Sequence, residues 1–299
     1  MSLPRARLLV LLAATLWSSS GLFAKAPLFD AWPSESRGIL LAFWRALFAG
    51  FVLLPAVRRP RFRPALIPMV GAFTAMSVTY LSAMTLTTAA NAIWLQSTAP
   101  FWVLLIGLAL GSERPARAEL VPLVFGGVGV ALILFHEARG QAGVGIFCGL
   151  AAGVAYAAIV IALRALRDED PVWLVALNHL AAAAFLLPIV VAVGHWPTLT
   201  QLGVLAAFGT VQMAIPYLLL TRALATVTSQ EAIGIGLIEP VLLPLWVYLA
   251  WREVPSAWTL AGGAIILVGL ALRYAWPLLM RPRPQATWAE QPLETELPR

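Results

Sequence analysis

Ten long apolar segments dominate this 299-residue sequence and leave few folds open to it. Hydrophobic residues make up 61% of the chain and charged residues 11%, against about 25% charged residues in soluble domains. A helix needs about 20 mainly apolar residues to cross a bilayer. Such segments lie near residues 7–27, 37–57, 65–86, 89–110, 118–136, 143–165, 171–193, 200–222, 229–250 and 257–276. The sequence therefore predicts an all-α membrane protein with ten transmembrane helices.

The second half of the chain repeats the first at a nearly constant offset. Residues of one type recur 140 positions apart in the pairs Ala83 and Ala223, Pro100 and Pro240, Glu113 and Glu253, and Gly129 and Gly269. At an offset of 139, Trp17 meets Tyr156 and Lys25 meets Arg164. Each half holds five predicted spans, so the second half enters the membrane from the opposite side. Inverted repeats of this kind are an established transporter architecture, with the substrate site between the halves. A purely structural duplication is the alternative.

Composition sets the predicted domain boundaries. Beyond Trp276, prolines alternate with polar residues, which is typical of disorder. We therefore predict a first five-helix repeat over residues 1–138, a second over residues 139–276, and a disordered cytoplasmic tail over residues 277–299. The N-terminal segment has features of a signal peptide. Because Pro27 follows the possible cleavage site and the segment has a counterpart in the second half, we expect it to be retained as the first span.

Basic residues between the spans predict the orientation of the chain, because cytoplasmic loops carry an excess of lysine and arginine. The chain has 20 basic residues. Lys25, Arg37, Arg139 and Arg252 fall on one side, Arg45 falls inside a span, and the rest fall on the N-terminal side. The bias predicts cytoplasmic termini in a multi-pass protein of the plasma membrane, which is the inner membrane of a bacterium.

Short motifs recur in both halves. The first half contains Leu16-Trp17-Ser18, Arg45-Ala46-Leu47 and, after Pro100, Leu110-Gly111-Ser112-Glu113. The second half contains Trp251-Arg252-Glu253 after Pro240. Over about residues 7–275, this series resembles the EamA family of the drug/metabolite transporter superfamily. The resemblance implies a ten-helix carrier that exports small metabolites, amino acids or drugs, and exporters of aromatic amino acids are among the bacterial members.

Arg45, His179 and Glu239 fall away from the ends of predicted spans, where charges usually face a cavity or a partner. Glu239 directly precedes Pro240 in the ninth span and is predicted to bind a proton or a substrate ammonium group. Pairing with Arg45 or Arg222 is the alternative. Arg45 is predicted to counter a substrate carboxylate or a protein acid. His179 is predicted to titrate near neutral pH or to bond to a neighbouring helix. Together, Arg45, His179 and Glu239 are the predicted coupling or charge-pairing residues.

Other glutamates lie near the predicted span ends. Thr228-Ser229-Gln230-Glu231 spells a capping box, in which Thr228 is the N-cap and Glu231 reaches back to it. Glu113 and Glu253 occupy matched helix ends, and we expect both to have structural roles there.

Aromatic and amide side chains deeper in the spans outline a predicted substrate site. Asn91, Trp94, Thr98 and Trp102 follow a helical spacing, so a continuous fourth helix would present them on one face. An aromatic cavity with a few polar groups binds flat amphipathic solutes. The predicted substrate-binding residues are Trp17, Trp44, Tyr80, Asn91, Trp94, Thr98, Trp102, Tyr156, Gln212 and Tyr217. Interfacial belts are the alternative for the tryptophans.

Several classes of function lack their motifs in this sequence. Cys148 is the only cysteine, and no histidine or cysteine pair has metal-ligand spacing. The chain has no Walker loop, His-Glu-x-x-His motif or dinucleotide fingerprint, so we predict neither a metal nor a cofactor. The net charge of +6 lies in short clusters between apolar segments, which predicts no nucleic-acid partner.

The sequence thus predicts a secondary transporter, not an enzyme. It would export small metabolites, above all amino acids, by alternating access through a central cavity between the repeats. The expected partners are a small-molecule substrate and the lipid bilayer, and a monomer is the expected state. Three alternatives stay open: an exchanger of anionic metabolites or nucleotide sugars, an intramembrane enzyme that pairs His179 with Glu239, and a receptor or scaffold that transports nothing.

Overall fold

Ten apolar helices build the fold. The structure, a computed structural model, describes residues 1–109, 120–138 and 140–276. In these ranges, the helices long and apolar enough to cross a bilayer are α1 Leu3–Ala24, α2 Arg37–Ala56, α3 Leu66–Leu86, α4 Ala89–Ala109, α5 Leu120–Glu137, α6 Ala142–Leu163, α7 Pro171–Val193, α8 Leu199–Ala223, α9 Glu231–Trp251 and α10 Ala257–Ala275. The predicted all-α fold with ten spans is confirmed. The Leu110–Glu113 motif, Arg139 and the tail over 277–299 lie outside the described residues.

The two repeats interlock instead of lying side by side. Helix α2 packs against its counterpart α7, and α5 packs against its counterpart α10. Other large contacts also join the two repeats: α1 packs on α8, and α3 packs on α6. The arrangement has the pairing expected of two inverted five-helix repeats around a central axis.

Small residues allow these helices to approach closely, as is common in membranes, where packing drives helix association. A Cβ atom on Gly129 of α5 would lie 2.5 Å from the carbonyl oxygen of Gly262 in α10. A Cβ atom on Gly209 of α8 would lie 2.7 Å from the carbonyl oxygen of Arg45 in α2. Both contacts are backbone to backbone, so glycine is required for this separation.

Matching breaks interrupt α4 and α9. The helical pieces are Ala89–Gln96 and Ala99–Ala109 in α4, and Ser229–Gly236 and Glu239–Trp251 in α9. Pro100 and Pro240 each stand second in the later piece. A proline at the start of a helix lacks only an N–H that would have no partner there. The prolines therefore begin new helical pieces after the breaks.

Candidate functional site

A cavity of about 1030 Å³ lies between the two repeats, and every one of the ten helices contributes to its wall. It extends from the middle of the helices to the face that holds the N-terminus. At that edge, Arg167, Glu169 and Arg273 belong to its lining. The loops of the opposite face contribute no lining residue within the described ranges. In this structure the cavity therefore faces the side of the N-terminus.

An ion pair seals the opposite face. Lys25, which follows α1, places its Nζ 2.6 Å from Oε2 of Glu253 in the loop after α9. The same Nζ donates to the carbonyl oxygen of Thr87 at 2.6 Å. The other oxygen of Glu253 accepts from the backbone N–H of Ala89 at 2.6 Å. These contacts tie the ends of α1, α3 and α9 to the start of α4, so both repeats contribute to the seal.

Tryptophan side chains close the space between that seal and the cavity. Trp94 of α4 is 5% exposed and donates its indole N–H to the carbonyl oxygen of Pro240 at 2.9 Å. Trp246 of α9 donates to Oγ of Ser18 in α1 at 2.9 Å. The first piece of α4 and the later piece of α9, which lie toward the ion pair, thus pack together. The later piece of α4 and the first piece of α9 lie toward the N-terminal face and line the cavity.

Arg45 is a buried cation in the cavity wall. It is 2% exposed. Its Nη2 donates to Oγ of Ser77 at 2.9 Å, its Nη1 lies 3.5 Å from Oε1 of Gln212, and its guanidinium carbon lies 5.3 Å from the centre of the Phe208 ring. Its Nε is buried without a hydrogen-bond partner. The described residues place no carboxylate in an ion pair with it, so its polar partners are neutral oxygens.

Local helix irregularities position Gln212 beside Arg45. Helix α8 widens into a π-helical stretch over Phe208–Ala214, a geometry frequent at functional sites. The first piece of α1 ends at Trp17, before the run of serines that starts at Ser18. Carbonyl groups in the last turn of a helix lack partners within it. Gln212 donates to the carbonyl oxygen of Trp17 at 3.2 Å. The widened turn of α8 thus supplies a hydrogen-bond donor to a carbonyl group at the break in α1.

Glu239 is an acidic residue of the cavity wall, next to the break in α9. It is the first residue of the later helical piece of α9, a position that favours negative charge. Within the described part of the chain, it forms no hydrogen bond or ion pair, so the alternative pairing with Arg45 or Arg222 is not observed. Arg45, Tyr80 and Tyr217 line the same cavity as Glu239. A basic and an acidic side chain thus share one cavity wall.

The structure brings together only part of the predicted site. The predicted residues in the cavity wall are Trp17, Arg45, Tyr80, Tyr156, Gln212, Tyr217 and Glu239. Those outside the wall are Trp44, Asn91, Trp94, Thr98, Trp102 and His179. One face of a continuous fourth helix was expected, but α4 breaks at Ser97 and Thr98. The wall also contains Gln96, Ser97 and Asn178, none of which is among the predicted substrate-binding residues. The polar types of Gln96 and Ser97, next to the break, were the available signal.

The predicted residues outside the wall bond mostly to their own helices. Trp102 donates to Oγ1 of Thr98 at 3.1 Å, and Asn91 donates to Oγ1 of Thr87 at 3.0 Å. The Nδ1 atom of His179 lies 2.8 Å from the carbonyl oxygen of Val175, one turn earlier. Its predicted bond to a neighbouring helix is therefore not formed through this atom, and its Nε2 is buried without a partner. His179 and Glu239 do not pair, as the alternative intramembrane enzyme would require.

Helix starts on the N-terminal face are capped by side chains. Thr228 Oγ1 accepts from the backbone N–H of Glu231 at 3.2 Å, as predicted. The carboxylate of Glu231 pairs with Arg7 at 2.5 Å, where the predicted capping box had it reach back to Thr228. Asp170 caps α7. Partial burial acts to raise its pKa, but backbone N–H groups that donate to the carboxylate, among them that of Arg58, lower the pKa below its ordinary value.

Two inverted repeats around a polar and aromatic cavity that faces one side of the membrane define a membrane transporter. The described residues contain no group of three or more metal-ligating side chains. The chain belongs to the EamA-like transporter family, whose model matches residues 5–135 and again residues 143–275.

Two relatives show what the chain is similar to. An uncharacterized transporter of Archaeoglobus fulgidus is 29% identical over 242 residues, which cover 79% of this chain and 86% of that protein. The pseudopaline exporter CntI of Pseudomonas aeruginosa is 29% identical over 181 residues, 60% of this chain and 63% of that protein. A solved crystal structure that is 21% identical superposes with a TM-score of 0.64, covering 93% of this chain and 98% of the other. That likeness supports the fold.

Proposed function

We propose that the protein is a secondary transporter that exports small amphipathic metabolites, principally amino acids, by alternating access. The observation that carries this proposal is the cavity of about 1030 Å³, which faces one side while the Lys25–Glu253 pair closes the other. With cytoplasmic termini, the cavity faces the cytoplasm, which is the loading side for an exporter. Residues 1–138 and 139–276 are then the two units whose relative movement would open the sealed face.

The cavity wall suits solutes with an apolar body and a charged end. Trp17, Tyr80, Tyr156 and Tyr217 provide aromatic surface, and aromatic rings with a polar tip bind such solutes well. Aromatic amino acids belong to this class. The similarity to a pseudopaline exporter supports export as the direction of transport.

Glu239 is the proposed coupling residue. Its carboxyl group lines the cavity and has no hydrogen-bond or ion-pair partner in the described ranges, so it is free to take up a proton or a cationic group of the solute. Competition between the two for one carboxylate would couple export to proton entry. Titratable groups inside membranes mark proton and substrate pathways in many transporters.

Counterflow in proteoliposomes tests the proposed function. Purified protein is reconstituted and preloaded in turn with tryptophan, phenylalanine, leucine, or glycerol 3-phosphate, and exchange of the labelled solute is measured against protein-free liposomes. We expect counterflow of at least one amino acid. Absence of counterflow for every amino acid would contradict the proposal, and counterflow of the phosphate ester alone would favour the anionic-metabolite exchanger.

A further inference from the structure

Arg45 carries a buried charge without a counterion among the residues that the structure describes. Removing an ion from water costs several kcal/mol, and neutral partners recover only part of that cost. Among the described residues, Ser77 is the one close hydrogen-bond partner, since the contact from Nη1 to Gln212 is 3.5 Å long and Nε has no partner. A buried cation of this kind in the wall of a cavity favours an anion as its ligand.

We infer that Arg45, with Ser77 and Gln212 beside it, forms a carboxylate subsite for the transported solute. Guanidinium groups hold carboxylates through paired, charge-assisted hydrogen bonds. The long contact from Nη1 to Gln212 is the one that a carboxylate would replace. This inference rests on the proposed transport function and specifies which solutes the cavity accepts.

Glu239 supplies the second half of the recognition. Its carboxyl group lines the same cavity as Arg45, Tyr80 and Tyr217, and it has no ion-pair partner among the residues that the structure describes. A solute with one carboxylate and one ammonium group neutralises Arg45 and Glu239 together. The substrate class is therefore zwitterionic carboxylates, of which amino acids are the smallest members.

A phosphate ester fits this arrangement less well. Phosphate recognition favours several cationic side chains around one group. Arg45 is the cation in the middle of the cavity, whereas Arg167 and Arg273 line it near the N-terminal face. A phosphate near Arg45 would also bring two negative charges toward Glu239, which carries the same sign.

The competing explanation gives Arg45 a purely structural role. Its bonds to Ser77 of α3 and Gln212 of α8 would then brace three helices. The two explanations differ in what Arg45→Gln does to the empty protein. A brace predicts a lower melting temperature for the variant, whereas an unpaired buried charge predicts an equal or higher one.

The test compares matched solutes on purified full-length protein in detergent. Ligand-induced shifts in melting temperature are titrated with phenylalanine, phenylalaninamide, 3-phenylpropionate and phenyl phosphate, and with the corresponding leucine, leucinamide and 4-methylpentanoate series. For the wild type, we expect the amino acid to bind about 10- to 100-fold more tightly than either singly charged analogue, the range expected for one charge-assisted hydrogen bond. The same titrations are repeated on Arg45→Gln and Glu239→Gln.

Each variant should lose one kind of discrimination. Arg45→Gln should bind the amide as well as it binds the amino acid, and Glu239→Gln should bind the carboxylic acid as well as it binds the amino acid. Arg222→Gln is the matched control, because Arg222 is exposed at the end of α8 and outside the cavity wall. Its affinities should match those of the wild type. If Arg45→Gln does not fold, Arg45→Lys takes its place and should retain the preference for solutes that carry a carboxylate.

The outcomes separate this inference from the proposed function. Amino-acid counterflow by the wild type, together with undiminished discrimination against the amide in Arg45→Gln, would overturn the carboxylate subsite and leave the transport function standing. Tighter Arg45-dependent binding of phenyl phosphate than of phenylalanine would also overturn it. Absence of amino-acid counterflow in the wild type would instead contradict the proposed function itself.

Discussion

Helices α4 and α9 have one backbone plan and two different uses. Each begins with a threonine N-cap, runs for 8 residues, breaks, and resumes with a proline in second place. The side chains differ at equivalent positions. Trp94 in α4 corresponds to Gly234 in α9, and Ala99 corresponds to Glu239. The first piece of α4 is buried from Ala89 to Leu95, whereas Ile233 in α9 is 47% exposed.

The difference shows which residues set the backbone and which set the state of each helix. The threonine side chain caps the start of each helix, and proline, which has no N–H, favours a new helical start after the break, so both copies have the same backbone plan. The indole of Trp94 then packs against Gly263 and Pro240, whereas Gly234 has no side chain at the equivalent position of α9. The repeats are therefore alike in geometry, while the cavity between them is asymmetric in charge.

The largest expected effect comes from disturbing the packing around Trp94 in α4. In the Gly263→Ala variant, the new Cβ atom would collide with the Trp94 ring. We expect a loss of about 1–3 kcal/mol in stability, because overpacking forces a well-packed region to shift. Thermal unfolding in detergent measures it. Gly236→Ala in α9 is the control, since nothing lies within 4 Å of its added Cβ. An equal melting temperature for both variants would contradict the packed role of Trp94.

The charged side of the comparison is tested through Glu239→Gln. Loss of the titrating carboxylate should remove the pH dependence of transport and lower proton-driven export about tenfold, equivalent to about 1.4 kcal/mol. Export from proteoliposomes across a series of pH gradients measures it. Glu231→Gln is the same chemical change on the same helix outside the cavity wall, and it should keep the wild-type pH profile. A pH dependence unchanged in Glu239→Gln would return Glu239 to a structural role.

The Lys25–Glu253 pair links the two helices directly, because Glu253, just beyond α9, accepts a hydrogen bond from the backbone N–H of Ala89, the first residue of α4. Side chains of Lys25 and Glu253 are 19% and 20% exposed. A double-mutant cycle with Lys25→Met and Glu253→Gln should give a coupling energy of about 0.5–1 kcal/mol in thermal unfolding. The cycle for the pair Arg37 and Asp30, whose carboxylate side chain is 69% exposed, should give less. Equal coupling in the two pairs would argue against a specific seal.

The smallest expected effect compares the two N-caps. Thr88 and Thr228 each accept a backbone N–H at 3.2 Å. Thr88→Ala should cost about 1 kcal/mol and Thr228→Ala about 0.5 kcal/mol, because the second cap is exposed and water can replace it. Melting temperatures of the two variants and the double variant measure the difference. A larger loss for Thr228→Ala would mean that the exposed start of α9 is the more tightly constrained one.

Much of the fold could be predicted from the sequence, because the spans and the repeat depend on patterns along the chain. Apolar length predicts the spans, and a constant offset between matched residues predicts the repeat. The site was less readable. Arg45 and Glu239 were recognisable as charges within spans, but Trp94 and Trp102 were predicted to line the cavity and lie outside its wall. A helical spacing indicates which residues share a face only while the helix continues, and α4 does not continue past Ser97.

The sequence by itself determined the solvent of this protein, its ten spans and its duplication, since each depends on composition or on a repeated pattern along the chain. Only the tertiary structure decided which residues meet. It placed Lys25 against Glu253 across 228 positions of sequence and the Trp94 indole against the Pro240 carbonyl group. It also put Arg45 and Glu239 in one cavity wall, without ion-pair partners among the described residues. These outcomes depend on how ten helices pack around a common axis, and spacing along the chain does not encode that arrangement.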